Sequence, residues 1–175
     1  MVFFFEVEVR LWLWDRYLSG LLAVESGLGA NQGFRRYLLF LEWAVNGIPW
    51  LAASIISVLY VLRKDFSDEF CWYFEVLLVG LCLDLIFVGS TKVLVRRNRP
   101  TYNKPDQKFI IRVFDDFSFP SGDVSRATFL TLFGLYYCDF SWWVRSLLKA
   151  LPVIVGISRV TMGRHYVSDV IGGLF

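Results

Sequence analysis

Hydrophobic residues run along this chain in long blocks separated by short polar clusters, the pattern of helices that meet lipid over much of their surface. Tyr37 to Leu62 holds 26 residues with one acid, Glu42, and no base. At about 1.5 Å per residue such a helix crosses a hydrocarbon core of about 30 Å. Pro49 within it is tolerable in a membrane helix where neighbouring Ser or Asn side chains satisfy the freed carbonyl. Phe70 to Thr91 predicts a second span, with Glu75 near one end and Asp84 deeper. Ala127 to Val144 predicts a third and Leu147 to Gly163 a fourth, with Trp142 and Trp143 as interfacial anchors between them. A fifth helix starts near Val167 and has nine residues before Phe175, a reach of about 13 Å, less than half a bilayer.

The first 36 residues read differently. Leu11, Trp14, Leu18 and Leu21 share a helical stripe while Asp15, Arg16 and Ser19 lie off it, which predicts an amphipathic helix lying in the membrane interface. Phe3 to Phe5 runs at once into Glu6 and Glu8 with no basic region before it, unlike a secretory signal. Gly27, Gly29 and Gly33 mark a flexible connection. The expected fold is therefore all-α: a polytopic transmembrane bundle with four full spans, a truncated fifth and an N-terminal interfacial helix. Residues 1–36 form the amphipathic segment and 37–175 the transmembrane domain.

Composition sharpens this picture. The 175 residues are 56% hydrophobic and 19% charged, with 7 Trp, 8 Tyr and 17 Phe, more aromatic surface than one small core absorbs. A net charge of +2, from 18 basic and 16 acidic side chains, provides no overall field for nucleic acid. Cys71, Cys82 and Cys138 lie in or at the edge of apolar runs and read as reduced thiols. Threading the spans puts fourteen bases on the starting side, Lys108 and Arg112 among them, against Arg63, Lys64, Arg145 and Lys149 on the other. That bias makes the starting side cytoplasmic.

Three clusters of chemically capable residues fall on that side. In Lys92-Val-Leu-Val-Arg96-Arg97-Asn98-Arg99-Pro100, a helix would bring Lys92, Arg96 and Arg99 onto one face and end at Pro100, which suits a phosphate cradle. Alone, the cluster reads more readily as bases capping the cytoplasmic end of a membrane helix. In Phe119-Pro120-Ser121-Gly122-Asp123, Ser121 can cap the third span, whose N-terminal N–H groups favour phosphate; alone it is a turn before a helix. Ser158-Arg159 precedes His165, the only histidine, and Asp169 four residues later, a spacing that lets the carboxylate accept the imidazole N–H. Together these are the parts for phosphoryl transfer through a phosphohistidine. Glu42 and Asp84 leave open a transporter with intramembrane proton sites.

With those motifs in place, the chain resembles the type 2 phosphatidic acid phosphatase superfamily, whose signatures are a Lys followed after six residues by Arg-Pro, then Pro-Ser-Gly-His, then Ser-Arg with the His and Asp spacing seen here. Arg96 to Asp169, with Gly47-Ile48-Pro49-Trp50 upstream, looks like the polyisoprenoid diphosphate phosphatase branch, which includes presqualene diphosphate phosphatase. The resemblance implies that His165 attacks phosphorus, that Asp169 orients it, and that Lys92, Arg99, Ser121, Gly122 and Arg159 hold the phosphoryl oxygens. It implies no metal or other cofactor, a six-helix fold, a phosphorylated isoprenoid or lipid as substrate, and a site on the cytoplasmic face of the endoplasmic reticulum or nuclear envelope.

One departure stands out. The histidine that protonates the leaving group in the family is Asp123 here. An aspartate at a helix N-terminus is normally a base, and its bland role is to stabilise the helix dipole. Losing a general acid matters least when the leaving group is itself a phosphate. The sequence therefore supports a membrane phosphatase of isoprenoid diphosphates, isoprenoid monophosphates or related lipid phosphates, one that tolerates Asp123 better with diphosphates, or, alternatively, an impaired or silent pseudophosphatase that serves as a membrane scaffold or lipid-phosphate binder.

Overall fold

A computed structural model describes residues 2–26, 31–64, 66–104 and 116–175. Seven α-helices and one short 3-10 helix (Val24–Ser26) make up its regular structure among those residues: α1 (Val2–Leu22), α2 (Gln32–Ala44), α3 (Gly47–Leu62), α4 (Asp68–Val95), α5 (Gly122–Tyr137), α6 (Trp142–Thr161) and α7 (Val167–Gly173). The Gly27 and Gly29 connection and the bases Lys108 and Arg112 lie outside the described residues. Helix α4 packs between α3 and α5, α6 lies along α5, and α7 closes against α5, α6 and α1.

Two stretches among the described residues, Gln32–Leu62 and Phe70–Val95, are long and apolar enough to cross a membrane. Their large side chains point outward: Ile56 is 66% exposed and Ile86 64%. The small core holds Val45, Val124, Ala127 and Val155 instead, with Leu151, Val170 and Leu174 packed against it. Apolar residues outside and small residues inside are what a lipid solvent selects.

Several expected boundaries move. Tyr37 to Leu62 is not one helix, because the chain breaks at Val45 and Asn46. Asn46 accepts the Ile48 N–H on its side chain at 3.0 Å, and Pro49 falls in the first turn of α3, where a missing N–H costs no intrahelical bond. Likewise Trp142 to Val144 open α6 rather than ending the third span, although both tryptophans stay at the turn and are exposed. Gly33 sits in the first turn of α2, where the Asn31 side chain caps it, rather than in a flexible connection.

The N-terminal helix meets the bundle through its polar side. Leu11, Trp14, Leu18 and Leu21 point away from the bundle, and the polar side of α1 docks instead. Ser19 accepts the Val167 N–H at 2.9 Å and Asp15 accepts the Ser168 N–H at 3.0 Å, so α1 satisfies the first N–H groups of α7.

Between α6 and α7 the chain must turn sharply. Gly163 permits it with φ of +76°, and a Cβ there would meet Tyr102 at 2.8 Å. Gly173 allows a different approach, since a Cβ on it would lie 2.6 Å from the Ser121 carbonyl and 3.0 Å from Val124. Gly173→Ala should lower stability by about 1–3 kcal/mol through overpacking. Thermal unfolding in detergent measures this, and an unchanged midpoint would contradict the close contact of α7 with α5.

Candidate active site

The three sequence clusters meet at the ends of α4, α5 and α6. The first does so differently from expectation. Helix α4 stops at Val95, five residues before Pro100, because Arg96 adopts a left-handed conformation with φ of 50°. Arg96 therefore leaves the shared face: it is exposed and donates back to the Val93 carbonyl at 2.9 Å. Lys92 turns inward, 5% exposed, and donates to the Phe117 carbonyl at 3.1 Å. Arg99 reaches the same region, where its charge acts on His165.

The Asn98 and Phe117 backbones form an isolated antiparallel bridge, and the Ser118 N–H donates to the Arg97 carbonyl at 2.7 Å. This clamp fixes the approach to α5. Ser121 occupies the N-cap position with its N–H donated to the Asp169 carbonyl at 3.0 Å, yet its side chain does not cap the helix as expected. Its hydroxyl is wholly buried and has no protein partner. An orphaned hydroxyl beside the free N–H groups of Gly122 and the rest of the first turn fits an anion.

His165 follows the Gly163 turn and is 3% exposed. Its Nδ1 lies 2.8 Å from the Ser118 carbonyl, and the expected acceptor, Asp169, is more distant at 3.6 Å. A carbonyl can only accept, so Nδ1 carries the proton and Nε2 keeps its lone pair. Burial pushes the imidazole down to about 4 from its ordinary 6.5; the charges of Arg99 and Lys92 act in the same direction, and Asp169 acts against them. Asp169 itself is fully buried, with one oxygen accepting the Tyr166 N–H at 2.8 Å and the other accepting from Arg97 at 2.8 Å.

Arg159 is 1% exposed and already surrounded by acceptors: Glu42 at 2.6 Å, the Leu38 carbonyl at 3.0 Å and Asp123 at 3.4 Å. Arg164 also reaches Glu42, at 3.3 Å. Asp123 lies in the first turn of α5 and directs its carboxylate to Arg159. Sequence reasoning missed Glu42, Arg164, Arg97 and the Ser118 carbonyl as members of this site. Glu42 had a signal, as the single acid of its apolar run; a main-chain carbonyl has none.

Both acids of the transporter alternative are packed and paired. Glu42 neutralises two arginines, and Asp84 is bonded to Arg126 and the Ser125 hydroxyl, so neither acid stands alone in a polar path.

Known proteins are similar to this chain in sequence and in fold. The chain is 37% identical over 123 residues to the probable lipid phosphate phosphatase beta of Arabidopsis thaliana, covering 56% of this chain and 57% of that protein. It is 32% identical over 97 residues to the putative undecaprenyl-diphosphatase YbjG of Escherichia coli, covering 55% of this chain and 47% of that one. The chain thus spans about half the length of the curated relatives it matches. In fold it is similar to the first transmembrane PAP2 type phosphatidylglycerolphosphate phosphatase from Bacillus subtilis, with a TM-score of 0.68 at 19% identity over 94% of this chain and 79% of that one. Residues 73–175, more than half of the chain and including all three motifs, match the PAP2 superfamily model, so the chain belongs to the PAP2 superfamily.

Proposed function

We propose that the protein is an integral membrane phosphatase that removes phosphate from isoprenoid diphosphates, isoprenoid monophosphates or related lipid phosphates, with His165 as nucleophile. The observation that carries this reading is the imidazole itself, a neutral ring held by Nδ1 against the Ser118 carbonyl, with Nε2 left free. In this reading α2 with α3, α4, α5 and α6 make four crossings, and the basic side of the bundle, with the site, faces the cytoplasm.

The substrate's phosphoryl oxygens lie between Lys92, Arg99 and Arg159, the Ser121 hydroxyl and the N–H of Gly122. His165 Nε2 attacks phosphorus, forming a P–N bond as the P–O bond to the leaving group breaks and that oxygen takes the electron pair. Water then attacks the phosphohistidine, releasing phosphate and restoring the imidazole. The Ser118 carbonyl holds the ring, and the Asp169 carboxylate, 3.6 Å from Nδ1, stabilises the positive charge it gains. Asp123 directs its carboxylate to Arg159 and stands in place of the histidine that would give the leaving group a proton. A departing phosphate, with a second pKa of about 6, manages without one far better than an alkoxide does. Diphosphates are therefore the preferred substrates.

A second reading has its own observation. Glu42, Asp123 and the Leu38 carbonyl occupy the guanidinium of Arg159, so the group meant for phosphate is already satisfied. On that reading the chain is an impaired or silent pseudophosphatase, a membrane scaffold that binds lipid phosphate without turnover.

His165→Ala should abolish phosphate release from farnesyl diphosphate by purified protein and remove any acid-labile phosphoryl adduct; activity equal to the parent's would remove His165 from the mechanism. Asp123→His should raise activity most on farnesyl monophosphate, by up to about 10²-fold, whereas the scaffold reading expects no turnover before or after the change. High monophosphatase activity with Asp123 in place would show that another group supplies the proton.

The single histidine also permits a direct titration by NMR. Its midpoint should lie near 4 rather than 6.5, so the ring stays neutral and nucleophilic across the intervening range. The sign for stability follows, because the unfolded chain takes up this proton first as pH falls below 6.5. The histidine therefore lowers stability progressively from pH 6.5 down to about 4. A midpoint at or above 6.5 would contradict the buried, neutral ring.

A further inference from the structure

We infer that Arg97 is a positioning residue, held by Asp15 of the N-terminal helix, that acts on His165 through Asp169. It follows that α1 is part of the active-site architecture and not only a membrane anchor. This inference deepens the phosphatase reading and rests on it for the catalytic consequence. Arg97 occupies one of the six unspecified positions inside the first signature, Asp15 belongs to no signature, and α1 lies outside the matched range of 73–175.

The geometry is a chain of charged groups. Arg97 donates through one nitrogen to Asp169 at 2.8 Å and through the other to Asp15 at 2.6 Å. The first nitrogen also reaches the Ser168 hydroxyl, which itself donates to Asp15 at 2.6 Å. The guanidinium plane lies 4.1 Å over the Tyr166 ring, which fixes its orientation. Side-chain exposure is 16% for Arg97, 14% for Asp15 and zero for Asp169, so water screens these contacts little. The Asp15 and Ser19 bonds to the first N–H groups of α7 then fix the helix that carries Asp169.

Physical necessity supports the assignment. A fully buried carboxylate is costly unless paired, and the distance of 3.6 Å to His165 makes the imidazole a weak partner. Arg97 supplies the compensating charge. It also sets how much of the Asp169 negative charge His165 experiences. The other charged groups facing the ring are Lys92 on α4 and Arg99 in the following loop, while Asp123 on α5 turns to Arg159 on α6.

The test uses the full chain in lipid nanodiscs, with two readouts: the NMR titration of His165, and kcat and KM for farnesyl diphosphate. Arg97→Gln removes the positive charge behind Asp169, so the His165 midpoint should rise by about one pH unit. Its kcat should fall about tenfold or more, the scale on which groups supporting a reactive residue act, with KM nearly constant. Asp15→Asn removes a negative charge from Arg97 and should move the midpoint the other way, downward, with a smaller loss in kcat. Arg97→Lys keeps the charge and should hold the midpoint near the parent's. Opposite shifts in the first two variants support the link, because a merely structural role moves both the same way or neither. Unchanged or parallel shifts overturn it. Should Arg97→Gln fail to fold by circular dichroism, Asp15→Asn decides alone: a downward shift supports the link and an unchanged midpoint refutes it. If the parent releases no phosphate, the titrations still judge the link, and the phosphatase reading alone fails.

Discussion

The buried carboxylate of Asp169 is the constraint around which the site is organised. Its side chain binds the N–H at the start of its own helix and the guanidinium of Arg97, while its main-chain carbonyl accepts the N–H of Ser121. One residue thereby joins α7, the loop after α4 and the start of α5, segments far apart in sequence. A charge in this position is tolerable only when fully bonded, so each attachment is enforced by the cost of leaving it unmade. Moving α7 or the loop after α4 would unpair a buried ion, and moving the start of α5 would strand a main-chain N–H and carbonyl. The seven-residue α7 is too short to be stable alone and owes its order to those attachments and to α1.

Much of this was legible in the chain. The apolar blocks revealed the helices, and the motif residues Lys92, Arg99, Ser121, Arg159, His165 and Asp169 carried the superfamily resemblance, because a motif is a spacing of residue types and is written in the letters themselves. Legibility failed where main-chain geometry decides. The break at Asn46 is a capping event inside an unbroken apolar run, and hydropathy does not register it. Likewise Arg96, Arg97 and Arg99 are alike as letters, but a left-handed residue at Arg96 sends the first outward and the second to Asp169. The stripe of α1 was visible, but its docking through Asp15 and Ser19 reverses the usual rule that apolar residues face inward. In lipid, that reversal is physically ordinary, because hydrocarbon satisfies Leu and Trp while polar groups seek each other.

The same inversion explains the acids at depth. Asp84 binds Arg126 and Ser125, and Glu42 binds Arg159 and Arg164, so each carboxylate ties helices together where apolar contacts offer little preference over lipid. Breaking such a pair by removing one partner costs about 3–5 kcal/mol, since the survivor is stranded. Glu42 adds a functional dimension, because the arginine it steadies is one that we propose for holding phosphate. Stability of the bundle and availability of Arg159 are therefore in tension at this one residue.

The acceptor for His165 Nδ1 is a peptide carbonyl, and that has a consequence for inheritance. Every amino acid supplies the same oxygen, so codon changes at Ser118 do not delete the group that chooses the tautomer. What can drift is the clamp that aims it: the Ser118 N–H bond to the Arg97 carbonyl and the hydroxyl bonds, at 3.3 Å, to the carbonyls of Arg97 and Asn98. The proton's address on the ring is thus written in chain path rather than in residue identity. Two homologues could share every motif letter and still differ in which nitrogen is free to react.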